Sequence, residues 1–145
     1  MAINATLRTA TEGDVPKLVE LERLAFAVPN WPADTFLQYE CTVAEVGREV
    51  VGFLVSRPIF FGSATAPPER EILNLAVAPP YRRAGIATQL LHFEFRHIAV
   101  FLLEVRESNL AARTLYRRLG FVEISERPGY YNNPPETAIV MQRHH

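Results

Sequence analysis

A single carboxylate stands inside an apolar run at Glu104, in the stretch FLLEVR. A carboxylate there costs free energy unless it is paired, hydrated or used. Two readings follow: a general base in a cleft, or a salt bridge with Arg106 or with a helix arginine. Tyr116, a few residues on, has a phenol that could give a proton to a leaving group, or simply pack with a hydrogen-bonded tip. Upstream, Arg82-Arg83-Ala84-Gly85-Ile86-Ala87-Thr88 joins an apolar run, Ile72 to Val77, to a helical pattern. A strand feeding a Gly-containing turn and a helix start makes an anion site, because the first helical N–H groups lack internal partners and face the positive end of the dipole. Arg82 and Arg83 add charge, and Gly85 and Ala87 allow close backbone approach. The plainer reading is an ordinary strand–loop–helix connection with two surface arginines. Asn109 suits a helix cap at least as well as a ligand contact. Tyr130 and Tyr131 form either a recognition surface or a loop anchor.

Other chemistries lack their residues. There is no G-x-G-x-x-G, no G-K-[ST] and no G-x-S-x-G. His92 and His97 are five apart and do not make an H-E-x-x-H metal site, so no metal is expected. Cys41 is the one cysteine and has no evident activating neighbour. The net charge of −1 argues against direct nucleic-acid binding. No apolar run reaches the ~18 residues of a membrane span, and the N-terminus lacks a signal-peptide pattern, so a soluble, cytoplasmic protein is expected.

The elements that must position these groups follow from periodicity. One domain is expected over residues 1–145, with 48% hydrophobic residues to build its core. Residues 5–10 predict a first strand. Thr11-Glu12-Gly13-Asp14 opens a helix whose apolar positions are Val15, Leu18, Leu21 and Ala25. Val28-Pro29-Asn30-Trp31-Pro32 breaks it, and a short helix is predicted from Asp34 to Tyr39. Trp31 is either a core lid or part of a cleft wall. Cys41–Val46 and Glu49–Ile59 form a hairpin about Gly47-Arg48. Residues 60–68 are a loop, 69–78 a strand, and 84–95 a helix. Residues 98–105 make a strand covered on both faces. Ser108 is expected to cap the next helix, with Ala112, Leu115 and Leu119 buried, Arg113 and Arg117 wet, and Gly120 as its stop. Strands 121–125 and 138–142 flank a loop, 126–136, that carries the tyrosine pair. The sum is a mixed α/β sheet of about six to seven strands with about four helices.

Set together, ILNLAVAPPYRRAGIATQLL, LEVRESNLAARTLYRRLGFVEI and RPGYY resemble the GNAT family of acetyl-CoA-dependent N-acetyltransferases, and within it the RimI type that acetylates ribosomal-protein alanine N-termini. Arg82-x-x-Gly85-x-Ala87 matches the family's cofactor motif. The resemblance implies a GNAT fold and acetyl-CoA as cosubstrate. It implies that Leu75, Ala76 and Val77 lend backbone groups to the pantetheine arm. Arg83, Ala84, Gly85, Ile86, Ala87 and Thr88 would hold the pyrophosphate, and Asn109 would touch the cofactor. Glu104 would take a proton and Tyr116 give one. Trp31, Tyr130, Tyr131 and the segment from Val28 to Phe36 would line the cleft for a protein or peptide N-terminus, a ribosomal protein being one candidate. A lysine or small amine as acceptor, or a non-catalytic acyl-CoA-binding module, are the competing expectations. A monomer or weak dimer without membrane contact is expected. Two departures stand out: the segment between the cofactor helix and FLLEVR is short for the RimI type, and Ala78-Pro79-Pro80 replaces a commoner acidic residue before the proline.

Overall fold

The computed structural model describes residues 2–26, 31–60 and 66–145. The expected break at Val28-Pro29-Asn30 and the middle of the 60–68 loop lie outside them. The strands are β1 (Thr6–Thr9), β2 (Glu40–Val46), β3 (Glu49–Ile59), β4 (Glu69–Val77), β5 (Val100–Arg106), β6 (Val122–Tyr131) and β7 (Glu136–Arg143). The helices are α1 (Val15–Ala25), α2 (Ile86–Glu94) and α3 (Leu110–Arg118), with 3-10 turns at Glu12–Asp14, Ala33–Thr35 and Pro79–Tyr81. The seven-stranded sheet has the order β1-β2-β3-β4-β5-β7-β6. β4 and β5 run parallel, while β1–β2, β2–β3, β5–β7 and β6–β7 are antiparallel. This is the mixed sheet expected, and the three α-helices and the 3-10 turns among the described residues roughly match the expected four helices. Among the described residues no helix is long and apolar enough to cross a membrane.

The chain divides into two compact units, Met1–Arg57 with Leu73–Arg96, and Pro58–Ile72 with His97–His145. In the first unit the β2–β3 hairpin turns at Gly47-Arg48 with Val46 opposite Glu49, and Gly47 takes φ +63°. Residues 50–56 of β3 are buried without alternation, as in a strand covered on both faces. Leu18 and Leu21 of α1, Val43, Phe53 and Leu54 of the hairpin, and Ile86, Leu90 and Leu91 of α2 are buried core of this unit. The expected helix at Asp34–Tyr39 is only a 3-10 turn, Ala33–Thr35. Between Pro32 and the start of β2 there are too few residues to repay helix nucleation. Phe36 is instead pinned edge-on to Phe53, with ring centroids 5.3 Å apart.

The start of α1 is tied to β1 and β2 by charge. Arg8 donates through Nη1 and Nη2 to Asp14 at 2.8 and 3.0 Å and through Nη2 to Glu45 at 3.3 Å. Asp14 also accepts from the Thr11 backbone N–H at 2.8 Å. The bidentate Arg8 contact, outweighing burial, lowers the Asp14 carboxyl from 3.8 to about 2. A depressed carboxyl pKa stabilises the fold above the unfolded-state value, and that stability is lost as pH falls through the folded one. Asp14→Asn is therefore expected to cost about 1–2 kcal/mol near neutral pH, discounted for the partly exposed guanidinium. The gap to wild type should close as pH falls from about 4 toward about 2 in urea unfolding series. A gap independent of pH would mean that Asp14 acts by capping alone.

In the second unit, β5 alternates: Phe101, Leu103 and Val105 are buried, while Leu102, Glu104 and Arg106 are half-buried. The strand starts at Val100, so Ile98 lies outside it and is 73% exposed. β6 differs most from expectation. The predicted 126–136 loop is largely strand: β6 continues through Pro128-Gly129 to Tyr131, and the turn shrinks to residues 132–135. Pro128 and Gly129 sit on an edge strand where the pairing slips between Arg127 and Tyr131, and Gly129 takes φ +66°. A bulge on an edge tolerates both residues, since it needs no inward N–H from the proline and uses the glycine's left-handed backbone.

Candidate active site

The first unit carries the cofactor motif. β4 ends at Val77, a 3-10 turn spans Pro79–Tyr81, and α2 begins at Ile86, two residues later than expected. The two residues are used in the turn: Arg83 and Gly85 both have left-handed backbone, φ +62° and +82°. Gly85 adopts that conformation without strain, and its carbonyl accepts the first helical bond, from Gln89 N–H at 3.0 Å. The N–H groups of Ile86, Ala87 and Thr88 are thus the open donors of the helix start. Arg82 is exposed but engaged: Nε donates to the Val77 carbonyl at 3.2 Å and Nη2 to the Leu24 carbonyl at 3.4 Å. It ties the end of β4 to α1 more than it offers free charge. Ala76 is buried, and Leu75 and Val77 are half-buried on the other face of β4. The described ladder between β4 and β5 pairs only Glu69–Ile72 with Val100–Leu103. Leu75, Ala76 and Val77 lie beyond it.

Sequence reasoning missed what braces this turn. Gln89 Nε2 donates to the Ile3 carbonyl at 2.6 Å and to the Gly85 carbonyl at 3.2 Å, and its Oε1 accepts from Ala5 N–H at 3.0 Å. Ile3 N–H donates to the Ala84 carbonyl at 2.9 Å. The partners lie more than eighty positions away in sequence, so no local signal marks them. Gly52 of β3 leaves room of a different kind: a Cβ there would stand 3.1 Å from the Ala76 carbonyl and 3.2 Å from Ile86 Cγ2. Trp31 lies at the far end of α1, half-buried, its ring 5.3 Å from Phe36 and 6.2 Å from Tyr39. The Trp31 backbone N–H donates to Glu22 Oε1 at 3.1 Å, and Asn74 Nδ2 donates to Glu22 Oε2 at 2.6 Å. Cys41 is buried, and burial first pushes its thiol up to about 12, so it is no thiolate nucleophile.

The second unit carries Glu104, Tyr116 and the tyrosine pair. Glu104 is paired neither with Arg106 nor with a helix arginine. Arg127 of β6 donates from Nη1 to its Oε1 at 2.8 Å. Its Oε2 is buried and has no hydrogen-bond partner among the described residues. Arg106 turns the other way, to Glu136 at 3.3 Å and to the carbonyls of Asn132 and Pro134 at 3.1 Å. The two arginines cap the two tyrosines: Arg127 lies 4.5 Å from the Tyr130 ring centre, Arg106 4.4 Å from that of Tyr131. The rings meet edge to face at 5.0 Å. A hydrogen bond with Glu104, then burial, raises the Tyr130 phenol. Burial, then the Glu104 charge, raises Tyr131 to about 12. Tyr116 is the buried residue of α3, against Phe121 at 5.6 Å. Burial, then Tyr131, holds its phenol well above its ordinary 10.0. It is neutral at any physiological pH and keeps its proton available to donate.

The α3 start also corrects an expectation. Asn109, not Ser108, is the cap: its Oδ1 accepts from Ala112 N–H at 3.1 Å. Ser108 N–H instead donates to Glu136 Oε2 at 2.6 Å, so Glu136 joins the end of β5 to the start of α3. The expected stripe of Ala112, Leu115 and Leu119 is only half-buried. Arg113 is not a wet residue either. It and Arg117 share Glu123 Oε1 at 2.8 and 2.7 Å, and the Arg113 side chain is 15% exposed. Among the described residues no cluster of His, Cys, Asp and Glu could hold a metal.

These features meet known proteins at full length. The acetyltransferase (GNAT) family profile matches residues 10–121. The ribosomal protein bS18-alanine N-acetyltransferase of Escherichia coli K12 is 32% identical over 147 residues, covering 94% of this chain and 95% of its own. The crystal structure of the Escherichia coli ribosomal-protein-S18-alanine N-acetyltransferase superposes with a TM-score of 0.81, at 30% identity, over 97% of this chain and 93% of that one. An N-alpha-acetyltransferase of Sulfurisphaera tokodaii is 34% identical over 152 residues, 92% of this chain and 90% of its own. The uncharacterised protein ML0378 of Mycobacterium leprae is 35% identical over 144 residues, and the chain spans 39% of that protein's length. The chain belongs to the GNAT family and is an acetyl-CoA-dependent N-acetyltransferase.

Proposed function

We propose that the chain transfers the acetyl group of acetyl-CoA to the α-amine of a protein N-terminus, with Glu104 as proton acceptor and Tyr116 as donor to the leaving sulfur. The observation that supports this most is the Oε2 of Glu104, buried and without a hydrogen-bond partner among the described residues, on the half-buried face of β5. In this reading the N–H groups of Arg83 through Thr88 hold the pyrophosphate, and the backbone of Leu75, Ala76 and Val77 meets the pantetheine arm. Arg82 sets the end of β4 rather than binding phosphate itself. Asn109 has spent Oδ1 on its helix, so its contact with the cofactor falls to Nδ2. Trp31, Tyr130 and Tyr131 bear on the acceptor peptide.

The chemistry balances. An N-terminal ammonium with pKa near ~8 first gives one proton to Glu104, directly or through one water. The freed nitrogen attacks the thioester carbonyl, and the oxyanion needs an N–H donor, for which the β4 backbone at Ala76–Val77 is suited. The C–S bond breaks as the amide forms. The second proton on nitrogen ends on sulfur, relayed by Tyr116. A phenol held above its ordinary range gives up its proton only as it is replaced, which favours a relay over free donation. With Cys41 buried as a neutral thiol, direct attack needs no acyl-enzyme. A ribosomal protein is the acceptor class that the relatives' names suggest, and a basic target would suit a chain of net charge −1.

The test is thiol release from acetyl-CoA with short peptides that begin Ala-Arg or Ser-Arg, beside an N-blocked, lysine-containing control. Release with free N-termini alone is expected. Release with the blocked peptide would move the acceptor to lysine. Gln89→Ala is expected to raise the acetyl-CoA KM about three- to tenfold with kcat nearly unchanged, since three hydrogen bonds that brace the pyrophosphate turn are lost and about 1 kcal/mol of that loss falls on cofactor binding. A fall in kcat at unchanged KM would separate Gln89 from cofactor binding.

A further inference from the structure

Arg127 is placed with more care than a surface ion pair requires. In cross-strand register, Arg106 of β5, Ala138 of β7 and Arg127 of β6 form one row. Glu104, Val140 and Ser125 form the next row on the same face. The two arginines therefore flank Ala138 on the same face and diverge. Arg106 takes Glu136, and Arg127 reaches diagonally back to Glu104. The bulge begins at Arg127: residues 128–130 of β6 stand against Thr137 alone before Tyr131 pairs with Glu136. That slip brings the Tyr130 ring under the guanidinium at 4.5 Å and its phenol to the same carboxylate. A guanidinium can clamp a carboxylate with two parallel bonds, yet only Oε1 is taken here. Oε2 is left buried and without a hydrogen-bond partner among the described residues.

We propose that Arg127 is a positioning residue of the acetyl transfer: it fixes Glu104 through Oε1 and so presents Oε2 as the atom that receives the acceptor's proton. This rests on Glu104 being the base. The Glu104 side chain is 17% exposed and that of Arg127 55%, so the clamp is applied from the solvent side and the open oxygen faces inward. Apart from Tyr130, whose phenol also reaches this carboxylate, the charged and titratable groups near it do not compete for the role. Tyr131 feels its charge and lies under Arg106, while Arg106 itself is held by Glu136. Glu71 of β4 acts on Tyr130 with the same sign as Glu104. With Arg127 removed, the carboxylate is held by the Tyr130 phenol alone, and the proton acceptor loses the guanidinium that fixes its direction.

The experiment compares Arg127→Gln, Arg127→Lys, Glu104→Gln and the double variant Arg127→Gln/Glu104→Gln in steady-state kinetics with acetyl-CoA and an Ala-starting peptide. Arg127→Gln is expected to lower kcat about tenfold at unchanged acetyl-CoA KM, and Arg127→Lys to recover most of it. The double variant should be no slower than Glu104→Gln alone, because the arginine acts only through the carboxylate. Wild-type kcat in Arg127→Gln, or a further loss in the double variant, would overturn the proposal while leaving Glu104 as the base. Wild-type kcat in Glu104→Gln would overturn both.

Discussion

Glu104→Gln is expected to lower kcat by about 10²- to 10⁴-fold, the usual contribution of a positioned general base. The substitution keeps the size of the side chain and an oxygen for Arg127 to meet at Oε1. It removes the only property the reaction needs there, the ability to accept a proton. The acetyl-CoA KM should hold, because the residues proposed for the cofactor's phosphates belong to the β4–α2 turn and not to β5. The loss should also depend on pH. The acceptor's ammonium has pKa near ~8, so above that value the amine arrives already free and the base matters less. The gap between wild type and variant is therefore expected to narrow as pH rises. A gap of constant size through the amine's titration would remove Glu104 as the base, and wild-type activity would leave its orphaned Oε2 without a role.

Tyr116→Phe is expected to lower kcat about 10- to 100-fold with little change in acetyl-CoA affinity. Phenylalanine preserves the edge-on packing against Phe121, 5.6 Å away, so the variant should fold. What it loses is the phenol proton. Because burial and then Tyr131 raise the Tyr116 pKa, the wild-type phenol stays protonated past its ordinary 10.0. The sign is that of a donor kept in its active form, so the wild-type rate should show no alkaline fall from Tyr116 below that value. If acetyl-CoA affinity collapses in Tyr116→Phe instead, the residue packs the cofactor and does not handle protons.

Much of this was legible in the sequence where the signal is local. The β2–β3 hairpin follows from two alternating runs about Gly47-Arg48, α1 from Leu18 and Leu21 at helical spacing, and the β4–turn–α2 unit from Gly85. Glu104 stood out because a carboxylate in FLLEVR violates the pattern around it. Its partner did not, since Arg127 is 23 positions away and reaches it diagonally across β7. Pro128-Gly129 signalled a turn, and a turn is the usual outcome. A bulge on an edge strand satisfies the same backbone demands, and only the β6–β7 register distinguishes the two. Ser108 and Asn109 are both good caps. The choice fell to Asn109 because Glu136, from β7, claims the Ser108 N–H. On α3, periodicity pointed to Ala112, Leu115 and Leu119, while Phe121 folding back makes Tyr116 the buried residue. For Glu104, Pro128-Gly129 and Ser108 the missing information was a contact distant in sequence; for Tyr116 it was the path of the chain just past the helix.

The expected acceptor is an α-amine. One peptide with both a free N-terminal alanine and a lysine is incubated with the enzyme and acetyl-CoA, and the acetyl group is located by tandem mass spectrometry. Acetyl is expected on the α-nitrogen, with the lysine unmodified. Acetyl on the lysine with the N-terminus left free would contradict it.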